Sequence, residues 1–266
     1  MLADITPVVT TLDEAANIDR TLGALHWARR VVLVDSGSTD ETLALAARHG
    51  NVEIHHRPFD CFAAQWNWAL AHTGIDTEWV LALDADYLIP PRLVDEVARL
   101  RPPAEVAGYR ARFRFRVLGR DLHGSLYPPV TLLVRRARAH YRQHGHAHRV
   151  EVDGTVRNLV SMAVHDDRKP LRRWVQSQSR YLAEEAALIA TTPWRALGLA
   201  DRVRRLRVVA PWLAPLVYLL ARGGVLDGRA GLYYAAQRAI AEALLALYLA
   251  ERAMIARRPD DSGDPE

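Results

Sequence analysis

The chain has 266 residues, 50% of them hydrophobic and 25% charged, enough to bury a substantial core as one large domain with a helical appendage. The formal net charge of +4 is modest, and the basic residues gather late in the chain without the aromatic interleaving of a single-strand binder, so nucleic acid is not an expected partner. The lone cysteine, Cys61, excludes an intramolecular disulfide framework; with no basic-apolar-small leader before the first strand, a reducing, cytoplasmic setting is expected.

The N-terminal half alternates strands with helices. Residues 5–11 are β-branched and short, and residues 14–26 then place Ile18, Leu22 and Leu25 on one helical face. The apolar run 31–34 reads as a strand buried in a parallel sheet, ended by Asp35-Ser36-Gly37-Ser38-Thr39-Asp40, and a helix starts near Asp40. A third strand is expected at 52–55, a helix at 61–71 and a fourth strand at 79–83; a further helix at 90–100 has proline near its first turn. Residues 109–117 alternate arginine with less polar residues, the pattern of one half-buried strand whose cationic face is either an edge protected by charge or an anion-facing surface. With another strand at 130–134, the expected fold is α/β, a mostly parallel Rossmann-like sheet with a small antiparallel extension and a C-terminal helical region.

Leu83-Asp84-Ala85-Asp86 ends the fourth strand in two carboxylates, a donor pair suited to a hard cation, Mg²⁺ or Mn²⁺, that also grips phosphate. Ligands of open α/β sheets bind beyond the carboxyl ends of the strands, so Thr11 to Glu14, Asp35 to Asp40 and Asp84 to Asp86 are expected to converge. Neither G-x-G-x-x-G nor a Walker loop follows the first strand, which weakens dinucleotide and P-loop chemistry. A nucleoside diphosphate can instead be held by Asp35 at its base or ribose and by a cation at Asp84 and Asp86.

Thr11-Leu12-Asp13-Glu14-Ala15-Ala16-Asn17-Ile18, Val32-Leu33-Val34-Asp35-Ser36-Gly37-Ser38-Thr39-Asp40-Glu41-Thr42 and Leu83-Asp84-Ala85-Asp86 resemble the three signatures of family 2 glycosyltransferases. Gly119-Arg120 through Gly124 with Tyr127-Pro128, then Leu132 to Arg136 and His165-Asp166-Asp167-Arg168-Lys169, are similar to the branch acting in lipopolysaccharide core and related cell-envelope glycan assembly. The resemblance implies a GT-A fold, a nucleotide-diphosphate sugar as donor, a divalent cation and inversion at the anomeric carbon. It makes Thr11, Asp13, Glu14, Asp35, Ser38, Asp40 and Asp84 the expected donor-binding residues, and Asp84 and Asp86 the metal ligands. This chain departs from relatives in Leu12-Asp13-Glu14, where they often carry Tyr-Asn-Glu, and in Arg149, where many place Glu after His.

Inverting transfer needs a base for the acceptor hydroxyl. Asp166 or Asp167 is expected to serve, because neighbouring cations can hold either ionised; Glu151 and Asp121 are alternatives, and a charged connector capping the next helix is the plainer reading of residues 165–169. His144, His146 and His148 alternate, so on one strand they would face one way as zinc ligands can, while His146 or His148 touching the diphosphate or acceptor is the narrower expectation. Trp66 and Trp68 are expected to be core residues rather than a sugar-stacking platform.

From Leu171 the pattern turns helical, with Trp174, Gln178, Tyr181 and Glu185 at helical spacing. Arg202, Arg204, Arg205 and Arg207 precede the apolar run 208–221, which is too short and too proline-bearing to cross a bilayer and suits an interfacial helix; packing on the protein is the competing reading. Glycines at 223, 224 and 228 break the chain before a long helix at 232–253.

The expected organisation is a catalytic domain over 1–168, with its nucleotide-sugar half at 1–103 and its acceptor half at 104–168. A helical region follows over 169–258, then a disordered tail at 259–266. The expected function is transfer of a sugar, best guessed a hexose, to a lipid-linked glycan acceptor at the cytoplasmic face of the inner membrane. A polyprenyl-phosphate acceptor and a non-catalytic, membrane-bound nucleotide-binding adaptor are the rivals.

Overall fold

A computed structural model describes residues 1–144 and 147–256. The chain divides into two compact units, Met1–Lys169 and Pro170–Glu266. The expected tail at 259–266, and His146, lie outside the described residues.

The first unit runs β1 (Ile5–Thr11), α1 (Ile18–Gly23), β2 (Val31–Asp35), α2 (Thr42–Ala46), β3 (Val52–His56), α3 (Phe62–His72), β4 (Trp79–Asp84), β5 (Tyr87–Leu88) and α4 (Pro91–Arg99). It continues through β6 (Val106–Ala111), β7 (Phe113–Val117), β8 (Arg120–Asp121), β9 (Val130–Arg135), β10 (Ala139–His144), β11 (Ala147–Val152), β12 (Thr155–Asn158) and β13 (Ala163–His165). Seven strands form the central sheet in the order β12-β6-β9-β4-β1-β2-β3, and only β9 runs antiparallel to its neighbours. The α/β architecture, mostly parallel with an antiparallel addition and a helical C-terminal region, is the one the GT-A reading expects.

The central strands β1, β2 and β4 are almost wholly buried and built of apolar and β-branched residues because both faces are covered. Val9, Leu33, Leu81 and Leu83 pack toward Ile18, Leu22, Leu93 and Val97, whereas Val8, Val32, Val34 and Val80 pack toward Trp66, Ala69 and Leu70 of α3. Fully burying one such aliphatic side chain contributes about 1.5–3 kcal/mol. The β10–β11 hairpin is fastened over α3 by Asn67, whose amide donates to the Tyr141 carbonyl at 2.8 Å and accepts from the Tyr141 N–H at 2.9 Å. Trp66 is buried as expected for a core residue, and Trp68 is half-buried against His72.

Three sequence expectations are corrected. The helix anticipated over 14–26 starts only at Ile18, because the N–H groups of Asp13, Glu14 and Ala15 donate to Ser38, Thr42 and Asp40 of the following loop instead of entering a helical ladder. The arginine-alternating strand is two strands: β6 stays in the central sheet, while β7 pairs with β13 and β8 in a small sheet of order β5-β13-β7-β8. His144 and His148 lie on opposite arms of a hairpin, where His144 pairs with Ala147 and His148 with Gln143, so the single strand expected to carry both is not formed.

The second unit contains α5 (Leu171–Thr191), α6 (Leu199–Arg205), α7 (Ala210–Leu216), a π turn over Val217–Ala221 and α8 (Gly228–Ile255). Ala186 and Ile189 of α5 pack with Leu245 and Leu249 of α8. Arg204 clamps Glu242 at 2.8 Å. Among the described residues, no helix is long and apolar enough to cross a membrane.

Candidate active site

The carboxyl ends of β1, β2 and β4 lie side by side, with Thr11 paired to Asp35 and Thr10 to Asp84. The loops after β1 and β2 are interlocked. Asp35 is 1% exposed and accepts from the N–H groups of Gly37 and Ser38 and from the Ser38 hydroxyl, so its carboxylate organises its own loop rather than projecting from it. Asp13 accepts the Thr39 N–H at 2.8 Å, and Asp40 accepts from Ala15 and Thr42. Gly37 has φ +99°, a conformation that favours glycine and lets this turn close. The Thr11 hydroxyl is buried and, among the described residues, has no hydrogen-bond partner.

Asp84 and Asp86 flank Ala85, which is buried in the core and whose carbonyl accepts from Thr21 of α1 at 2.6 Å. Burial raises both carboxyls above the usual range. Hydrogen bonds from Tyr87 and Thr10 partly oppose this at Asp84; at Asp86, His165 and Lys169 oppose it while Asp84 and Asp167 add repulsion. Tyr87 is itself held by Tyr127, their hydroxyl oxygens 2.7 Å apart. Asp86 Oδ2 lies 3.5 Å from His165 Nε2, and Asp86 Oδ1 is buried with no hydrogen-bond partner among the described residues.

The segment after β13 closes the site from the other side. The Asp166 N–H donates to the Asp86 carbonyl at 3.0 Å. The Asp166 carboxylate, 1% exposed, is bonded by Arg20 and Arg168 with Arg116 at 3.8 Å. Asp167 is 24% exposed, accepting from Asn17 at 3.0 Å and from the Lys169 N–H at 2.9 Å. Burial would raise the Asp167 carboxyl, but the Lys169 charge and these hydrogen bonds outweigh it and hold it below the usual range. Lys169 bonds Glu14; burial raises the Glu14 carboxyl and Lys169 draws it back. Burial likewise opposes charge on Lys169, yet Glu14, Asp86 and Asp167 together raise its pKa and keep it an ammonium.

Asn17 is the hub of this junction, donating to Glu14 and Asp167 and accepting from Arg20 and the Arg168 N–H. Sequence reasoning assigned no role to Asn17, Arg20 or the Tyr87–Tyr127 pair; the signals were the place of Asn17 inside the first signature, of Tyr87 directly after Asp86 and of Tyr127 in the Tyr127-Pro128 motif. Of the alternative acids, Asp121 binds Arg116 at 2.6 Å, the same arginine that stands 3.8 Å from Asp166, and Glu151 binds Arg142 across the hairpin at 2.7 Å. His148 stands among Phe62, Trp66 and Tyr141, and burial lowers its pKa to about 4, which leaves it neutral near pH 7.

Among the described residues, no three His, Cys, Asp or Glu side chains form a ready metal cage. The donor set nonetheless suits Mg²⁺ or Mn²⁺ completed by substrate phosphates. Two hard carboxylates stand one residue apart, one buried oxygen lacks a donor, and a cation would offset the burial that holds both carboxyls above the usual range and the repulsion that Asp84 adds at Asp86.

The sequence model of Glycosyl transferase family 2 matches residues 6–153. A protein of Rickettsia bellii called an uncharacterized glycosyltransferase is 32% identical over 94 residues, 35% of this chain and 31% of that one; the chain thus spans about a third of the length of the curated relatives it matches. The crystal structure of S. aureus TarS 1–349 with UDP-GlcNAc aligns over 98% of both chains at 14% identity and TM-score 0.49. Glucosyl-3-phosphoglycerate synthase from Mycobacterium tuberculosis, in complex with phosphoglyceric acid, aligns over 70% of this chain and 79% of that one at 18% identity and TM-score 0.47.

Proposed function

This chain belongs to glycosyl transferase family 2, and on that premise we propose that it transfers a hexose from a nucleotide-diphosphate sugar to a lipid-linked glycan at the cytoplasmic face of the inner membrane, with inversion at the anomeric carbon. The observation that carries this reading is the half-buried Asp84–Asp86 pair at the end of β4, one buried oxygen of which lacks a donor beside the interlocked loops after β1 and β2.

The loops bearing Thr11, Asp13, Glu14, Asp35, Ser38 and Asp40 form the nucleoside side of the donor site, held rigid before the donor arrives. Asp84 and Asp86 would hold Mg²⁺ or Mn²⁺, which when bound would offset the charge that the departing diphosphate acquires. Tyr87 and His165 keep the two carboxylates oriented. Asp167 is the base, since its carboxylate stays ionised and reaches solvent, whereas Asp166 is enclosed by arginines. It takes the proton of the acceptor hydroxyl as that oxygen bonds to the anomeric carbon, and the electrons of the breaking carbon–oxygen bond pass to the diphosphate. The lipid-linked acceptor is supported by the resemblance to the lipopolysaccharide-core branch and by the basic, apolar second unit.

A thermal-shift screen of nucleotide sugars, each with and without Mn²⁺, tests the reading. One donor is expected to raise the melting temperature only with metal, by about 2.7 kcal/mol of added stability at 100 times its Kd, and to be consumed when lipid-linked glycan is added. Folded protein that responds to no donor with either Mg²⁺ or Mn²⁺ rejects it.

A further inference from the structure

In the second unit, large apolar side chains point outward along one stretch: Val208 is 74% exposed, Trp212 and Leu220 75%, and Leu226 73%. Val208, Trp212, Leu216 and Leu220 recur every four residues. The wider winding of the π turn after α7 suits that period and keeps Leu220 in line with Trp212 and Leu216, while Val208 precedes the helix and Ala210 and Tyr218 face inward.

The charges around this stripe are of one sign. From Arg202 to Glu242 the chain holds only two carboxylates, Asp227 and Glu242. Both are 7% exposed and internally used, Asp227 by the Tyr218 hydroxyl at 2.8 Å and Glu242 by Arg204. Arg207, Arg222 and Arg229 are exposed and stand within three residues of Val208, Leu220 and Leu226 in the sequence. Among the described residues, the surface of this stretch therefore offers cations and hydrocarbon without a balancing anion.

We propose that this face is a membrane-docking surface for anionic lipid, in which Trp212, Leu216, Leu220 and Leu226 enter the boundary between headgroups and acyl chains and Arg207, Arg222 and Arg229 meet lipid phosphates. Aromatic and aliphatic side chains flanked by arginine are the combination an interfacial helix needs. A second copy of the chain fits this charge pattern poorly, since a two-fold interface sets the same patch against itself and brings arginines together with no exposed carboxylate to pair them. The inference takes the lipid-linked acceptor as its premise, but docking is measured without transfer.

The test is co-sedimentation of the full chain with phosphatidylcholine vesicles, with and without phosphatidylglycerol, at low salt. Wild-type protein is expected to sediment only with the anionic vesicles. Arg207→Gln and Arg222→Gln each weaken partition about fivefold, and the pair Trp212→Ser with Leu220→Ser weakens it more than about tenfold. The melting temperature is unchanged in all of them because these side chains are exposed. Wild-type protein left in the supernatant with anionic vesicles overturns the proposal, as does a Trp212→Ser/Leu220→Ser variant that binds like wild type. A wild-type dimer that this variant converts to monomer, with no vesicle binding by either, assigns the face to self-association and also overturns it. Protein that sediments but transfers no sugar refutes the acceptor reading and leaves docking standing; protein that transfers sugar but does not sediment refutes docking alone.

Discussion

His165 Nε2 lies 3.5 Å from Asp86 Oδ2, and the imidazole is stacked on Phe115 with ring centroids 4.4 Å apart and planes 7° from parallel. The stack fixes the ring, and the ring in turn limits where the Asp86 carboxylate can point. Asp86→Asn is expected to weaken Mn²⁺-assisted donor binding by at least about 100-fold, and His165→Asn by about 10–100-fold, the range for a residue that orients a ligand. The melting temperature of Asp86→Asn holds or rises, because a buried group that resists ionisation is replaced by a neutral one. Calorimetric titration of Mn²⁺ with a nucleoside diphosphate checks this; donor binding at wild-type strength in a folded Asp86→Asn protein defeats the metal assignment.

The adjacent acids Asp166 and Asp167 separate by what surrounds them. Asp166→Ala leaves Arg20 without its buried partner and is expected to cost about 3–5 kcal/mol in urea denaturation, toward the low end because Arg168 is half exposed. Asp167→Asn is expected to lower kcat by at least about 100-fold while donor binding and stability stay near wild type. If Asp166→Asn instead abolishes turnover in a stable protein and Asp167→Asn does not, the two roles are reversed.

Burial lowers the His148 pKa from 6.5 to about 4. The unfolded chain therefore binds a proton at His148 that the folded chain refuses. Its contribution is complete above pH 6.5, falls as pH drops toward 4 and levels off below that. The loss is at most about 3 kcal/mol, reduced by whatever water reaches this half-buried ring. Urea midpoints of wild type and His148→Phe are expected to converge above pH 7 and to diverge below pH 6, with the variant the more stable in acid. Parallel curves over the whole range contradict the burial of a neutral imidazole.

Strands β1, β2 and β4 were readable because their information is local: an unbroken β-branched or apolar run, closed by Thr11, Asp35 or Asp84, has few alternatives once both faces are to be covered. The helical character of the last third was readable for the same reason, from spacing alone. The division of 109–117 was not, because the alternation passes through Arg112 without a break and only pairing with β13 shows that β7 has left the central sheet.

Chain chemistry likewise placed acids at three strand ends, and there local information stops. Asp35, Asp86, Asp166 and Asp167 are the same side chain; what distinguishes them is the company brought from far along the chain, such as Arg20 to Asp166 and Asn17 to Asp167, 146 and 150 residues apart. Strand patterns are set by neighbours one or two residues away, so composition and order suffice to recognise them. Whether a carboxylate is turned into its own loop, enclosed by arginines or left with an oxygen for a cation depends on desolvation and charge, and only folding sets those distances.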